Sequence, residues 1–193
     1  MVTEQDLTEY LINKLNEKLK QNDNDSEKEY IASNKCYFCY QNMKNNELIT
    51  NKKKTKDYYQ LDVLIYKKSK YDDDLNNATP LVVIEIKKHK YTSHDVIVYS
   101  DKAKRHKIMY PFIRYGFVVI DSKEPLSYKY FSHAENFDFA YLLNTKDENS
   151  FNDFFSNIIQ KEIGTAEYKQ EILYEKRHIN DLKGYRLNFE CIK

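Results

Sequence analysis

Residues 58–88 read YYQLDVLIYKKSKYDDDLNNATPLVVIEIKK, and the rest of the chain is placed around them. Two runs rich in β-branched and aromatic residues, 58–67 and 80–88, flank a polar connection, the pattern of two strands joined by a loop. Each run holds one carboxylate among apolar neighbours: Asp62 between Leu61 and Val63, Glu85 between Ile84 and Ile86. A carboxylate in an apolar strand is costly unless something compensates it. Lys87 lies two residues past Glu85, and strand side chains alternate faces, so the two share a face. If the runs pair as neighbours, Asp62 reaches the same spot. Two carboxylates and an ammonium at one sheet edge suit a hard cation such as Mg²⁺, with Mn²⁺ as a substitute. A buried ion pair with Lys87 is the alternative. Gln60 and Lys88 flank the motif as further candidates. The acidic trio Asp72, Asp73 and Asp74 reads as a solvated turn.

Upstream, Leu7, Leu11, Leu15 and Leu19 recur every four residues, which predicts a helix over 4–20. A polar break, QNDNDSEKE, follows, with a short helix expected near Ser26. Glu9 or Glu29 would either lend the site a further carboxylate or be an exposed helical glutamate. Residues 35–41, KCYFCYQ, read as a strand or hairpin arm. Its Cys36 and Cys39 form a CxxC, but no second CxxC exists to complete a four-ligand zinc site. Positions i and i+3 of a strand also face opposite ways.

Downstream, Thr92 and Asp95 have the spacing of a capping box, and Pro111 stops the helix they open at 93–110. Val96, Ser100, Ala103, Lys107 and Tyr110 mark one face. Lys102, Lys104 and Arg105 mark the other, where they would either neutralise phosphates or coat a surface helix. GFVVID (116–121) reads as a buried strand, and strand–helix–strand implies a crossover with parallel pairing. LSYKYFS (126–132) is expected to add an edge strand. Phe151, Phe154, Phe155, Ile158 and Ile159 give the strongest helical period in the chain, with Gly164 as its expected stop. A second helix from Thr165 to about Lys183 and an alternating final strand, YRLNFECIK, complete the reading, with Cys191 on the buried face.

The chain has 193 residues, 41% of them hydrophobic and 32% charged, which fits one globular domain: a core of about 5–132 and an extension of about 145–193. Three glycines leave no room for a glycine-rich phosphate loop. A net charge of +1 gives no global polyanion signature, although lysines cluster at Lys52, Lys53, Lys54 and Lys56 beside the acid pair. No apolar run approaches the ~20 residues that span a bilayer. The polar, acidic start MVTEQDLTEY does not read as a secretory signal, and three cysteines suggest a reducing cytoplasm.

Residues 61–62 (LD), the EIK of 85–87, the helix after them and a further apolar strand together resemble the PD-(D/E)XK nuclease superfamily, which includes restriction endonucleases, Holliday-junction resolvases and repair nucleases. The resemblance covers roughly residues 5–121. It implies an α/β fold, a mixed central sheet flanked by helices with an αβββαβ core, and a Mg²⁺-dependent endonuclease acting on DNA, of the restriction or phage-defence kind. It implies Asp62 and Glu85 as metal ligands with the Ile86 carbonyl, and Lys87 as the residue that orients or deprotonates the attacking water. Leu61 stands where the family name has proline. Cleavage of both strands of a duplex would favour a homodimer, and a modification or helicase partner is left open. The alternatives are a non-catalytic nucleic-acid-binding or assembly module on the same fold, and a junction resolvase or nuclease subunit of a larger system.

Overall fold

The computed structural model describes residues 3–21, 27–34, 37–39, 58–71 and 78–174. A five-stranded mixed sheet forms the centre. Its strands are β1 (Lys28–Ser33), β4 (Val63–Ser69), β5 (Thr79–Lys88), β6 (Arg114–Ile120) and β7 (Phe139–Leu143), side by side in that order. β4 is antiparallel to both of its neighbours, β1 and β5, while β5, β6 and β7 run parallel. Two short strands, β2 (Tyr37–Cys39) and β3 (Tyr58–Gln60), form a separate antiparallel pair.

Helices cover both faces of the sheet. On one side lie α1 (Glu4–Gln21) and a long C-terminal helix, built from α4 (Glu148–Asp153), a π-helical stretch (Phe154–Ile159) and α5 (Gln160–Tyr174). Leu7, Leu11, Leu15 and Leu19 are all buried there, with Phe151, Phe154, Phe155 and Ile159, against Val82, Ile84 and Ile86 of β5. Arg114 ties this helix to β6 through Glu162 and pairs with Asp138 at 2.8 Å. The other face carries α2 (Ser93–Met109) and α3 (Tyr128–Phe131). The expected capping box opens α2: Thr92 Oγ1 accepts from the Asp95 N–H, and Asp95 accepts from the Thr92 N–H at 2.8 Å. The α2 crossover makes β5 and β6 parallel, as the strand–helix–strand order predicts.

Several expectations are corrected. Residues 28–33 form a strand, not a short helix, and this strand, not 35–41, is the third antiparallel member of the sheet. Lys28, Glu29 and Ala32 favour helix, but Tyr30 and Ile31 suit a strand and pairing with β4 decides the outcome at a sheet edge. The run 58–67 is two strands, broken at Leu61–Asp62. LSYKYFS contains a short helix; β7 occupies the place beside β6, and Tyr130 turns inward to stack on Phe117. Gly164 does not stop its helix. A Cβ there would meet nothing within 4 Å, and the apolar face continues through Ile163 to Ala166. The second helix therefore continues the first, and its part beyond Tyr174 lies outside the described residues. So do the final strand, Cys36, the Lys52–Lys56 cluster and Asp72–Asp74. Among the described residues no helix is long and apolar enough to cross a membrane.

Candidate active site

The site forms where the sheet splits. The last paired residues of β4 and β5 are Val63 and Ile84. One residue before Val63 the chain bends at Asp62, and β3 leaves to join β2. β5 continues through Glu85, Ile86, Lys87 and Lys88 with β6 along one side. On the vacated side the Asp62 side chain replaces a strand: its Oδ2 accepts from the Ile86 N–H at 2.8 Å. The N–H and C=O of one strand residue point to the same side, so the Ile86 carbonyl also faces the Asp62 edge.

Glu85 points to the α2 face and is 1% exposed. Its Oε1 accepts from the Tyr115 hydroxyl of β6 at 2.7 Å and from Lys102 Nζ of α2, also at 2.7 Å. Burial pushes the Glu85 carboxyl up, and Asp62 adds to this, while Lys102 and Tyr115 oppose it. Tyr115 is raised well above the usual phenol range by burial and by Glu85.

Lys87 shares the face of Glu85, as strand alternation predicts. Its Nζ lies 3.4 Å from Asp95 Oδ1, 3.9 Å from Glu4 Oε1 and 5.2 Å from the centre of the Tyr99 ring. Partial burial would lower its pKa, but Tyr99, Glu4 and Asp95 outweigh that and raise it, so Lys87 is an ammonium at neutral pH. Tyr99 is the hub of the cluster. Burial raises its hydroxyl, Lys87 opposes this, and both Glu85 and Asp62 are near enough to raise it further. Lys102 Nζ also lies 5.7 Å from the same ring. Behind them His106 is fully buried, its ring 5.7 Å from that of Tyr115. Burial, with Lys102 nearby, pushes its pKa down to about 3.

Asp62, Glu85, Ile86 and Lys87 therefore come together. Lys102 joins them against expectation: it lies on the inner face of α2, 9% exposed, rather than on an outward phosphate-binding face. Lys104 and Arg105 do face solvent, and Arg105 pairs with Asp101 at 2.8 Å. Lys88 points to the opposite face, near Asp6 of α1. Gln60 ends β3, opposite Tyr37. Glu9 is exposed on α1, with Gln5 beside it. Glu29 is a strand residue paired with Lys68 at the far end of β4. The acid that the first helix brings near Lys87 is Glu4. Tyr99, Lys102 and Tyr115 were not singled out from the sequence as partners of the acids. The stripe Val96, Tyr99, Lys102, His106, at steps of three and four along α2, was the available signal.

The chain matches no family model, no curated protein and no solved structure with which it was compared. The donor set itself is informative. Among the described residues no cluster of three or more His, Cys, Asp or Glu side chains could hold a metal ion. A cation here would instead rest on two carboxylates, one backbone carbonyl and water. That all-oxygen set fits Mg²⁺, which typically takes one or two carboxylates and keeps several waters.

Proposed function

We propose that this chain is a cytoplasmic Mg²⁺-dependent endonuclease that hydrolyses DNA phosphodiester bonds, of the restriction-endonuclease-like kind. The observation that supports this most is the meeting of Asp62, Glu85 and Lys87 where β4 parts from β5. With the separate β2–β3 pair set aside, α1, β1, β4, β5, α2 and β6 follow one another as helix, three strands, helix and strand, which supports the same reading.

Asp62, Glu85 and the Ile86 carbonyl would hold the ion, which when bound polarises the scissile phosphate and favours ionisation of the attacking water. Lys87, steadied by Asp95 and Tyr99, would hydrogen-bond that water or a phosphate oxygen and offset the negative charge that develops. As an ammonium it orients and stabilises rather than acting as the base. The Asp62 bond to the Ile86 N–H and the Tyr115 bond to Glu85 hold both carboxylates in position before any ligand arrives. Lys104 and Arg105 are exposed and would contact the DNA backbone, Arg105 by exchanging its Asp101 pairing for a phosphate, and symmetric cutting of a duplex would call for a homodimer.

A second reading is favoured by one observation. The Lys102–Glu85 pair is what a purely structural acid would show, as in a non-catalytic nucleic-acid-binding module. A plasmid-nicking assay in Mg²⁺ separates the two. The nuclease reading expects wild-type nicking, abolished by EDTA, by Asp62→Asn and by Glu85→Gln, and reduced about 10²–10³-fold in Lys87→Met. Nicking that survives in Asp62→Asn would mean that the activity lies elsewhere.

A further inference from the structure

Lys102 is the cation that Glu85 holds in this structure. Glu85 is almost wholly buried, and its Oε1 takes both the Tyr115 hydroxyl and the Lys102 ammonium at 2.7 Å. The tyrosine supplies a hydrogen bond but no charge. The ammonium supplies both, at a distance typical of a charge-assisted bond. Asp62 is partnered differently, by the Ile86 N–H.

We propose that Lys102 is a tethered cation: it occupies the ion seat of the metal-free protein and gives up Glu85 when a divalent ion binds. The proposal rests on the nuclease reading of the site. A Mg²⁺ or Mn²⁺ ion sits about 2.0–2.2 Å from a carboxylate oxygen. With Lys102 still on Oε1, charges of +2 and +1 would share one carboxylate, and the weaker holder leaves.

The side chain suits this role. A lysine ammonium is a point charge on a flexible four-carbon stem, so it can swing away without a change in the helix. The Tyr99 ring lies within the ~6 Å range of cation–π attraction, at 5.7 Å from Lys102 Nζ and 5.2 Å from Lys87 Nζ. While on Glu85, Lys102 already lies beside the ring that Lys87 also approaches, so on release a short swing would set both ammonium groups toward a phosphate. The cation that keeps Glu85 compatible with its burial in the metal-free state would become a substrate contact in the loaded one.

Mn²⁺ titration calorimetry on the full chain, comparing wild type, Lys102→Met and Lys102→Arg, tests this. Removing the competitor is expected to tighten Mn²⁺ binding roughly tenfold in Lys102→Met, the scale of one charged hydrogen bond. Lys102→Arg keeps the charge and holds Glu85 with a rigid planar fork, so binding is expected to weaken roughly tenfold with the fold intact. If Lys102→Met does not fold in EDTA, thermal unfolding is read in Mn²⁺. Restoration of a cooperative transition supports the proposal, and failure to restore it counts against. Wild-type binding with Lys102→Met no tighter overturns the tethered-cation role and leaves the nuclease reading in place. No Mn²⁺ uptake by any of the three proteins overturns both.

Discussion

His106 makes stability depend on pH in a way that can be isolated. An exposed histidine titrates near 6.5, while burial, with Lys102 nearby, brings this one down to about 3. Between those values the unfolded chain binds a proton that the folded chain refuses. A depressed folded pKa gives stability that is fully present above the unfolded pKa and lost as pH falls toward the folded one. Within that window the loss runs at about 1.4 kcal/mol per pH unit. From pH 7 to pH 5 the unfolded histidine goes from mostly neutral to almost fully protonated, so the contribution lost is about 2 kcal/mol. Glu85 and Glu162, both raised by burial, pull the other way, so the total pH dependence mixes signs. A comparison with His106→Phe removes that complication, because phenylalanine keeps a ring against Tyr115 and cannot take up the proton. Urea unfolding at pH 7 and pH 5 gives the two differences. The wild type is expected to lose about 2 kcal/mol more than the variant over this interval. Equal losses in the two proteins would refute the assignment of a buried, neutral His106.

Other outcomes follow from single positions. Gly164 sits inside α5 with open space where a Cβ would be, so Gly164→Ala is expected to raise stability by about 0.8–1 kcal/mol, read as a higher urea midpoint. Gly116 does the opposite: a Cβ there would lie 2.0 Å from the Phe139 ring. Gly116→Ala is therefore expected to cost about 1–3 kcal/mol, with part of the loss recovered in the double variant that adds Phe139→Leu. Thr92→Ala removes one half of the α2 capping box and is expected to cost about 1 kcal/mol, visible as a lower melting temperature.

Much of this arrangement was legible because it rests on residue types in costly places. Four leucines at a spacing of four define α1. Thr92 and Asp95 mark the start of α2. A glutamate amid Val82, Val83, Ile84 and Ile86 draws attention because such a strand is a poor place for a charge. The partner of that glutamate was not legible. A lysine on a helix reads as outward-facing, and only the buried carboxylate across from it makes an inward Lys102 favourable. The break at Leu61–Asp62 was also hidden, since the apolar run continues through it and nothing local announces a bend. β1 went unseen because Lys28, Glu29 and Ala32 favour helix, and its strand state comes from pairing with β4. Gly164 misled in the opposite sense: glycine ends many helices, but a helix held by a continuous apolar face runs past one.

The central claim is that Asp62, Glu85 and the Ile86 carbonyl form one cation seat. Anomalous diffraction from crystals grown with Mn²⁺ tests it most directly. One strong peak is expected within about 2.2 Å of oxygens from both carboxylates and the Ile86 carbonyl. A peak elsewhere, or no peak with Lys102 still bound to Glu85, would contradict it.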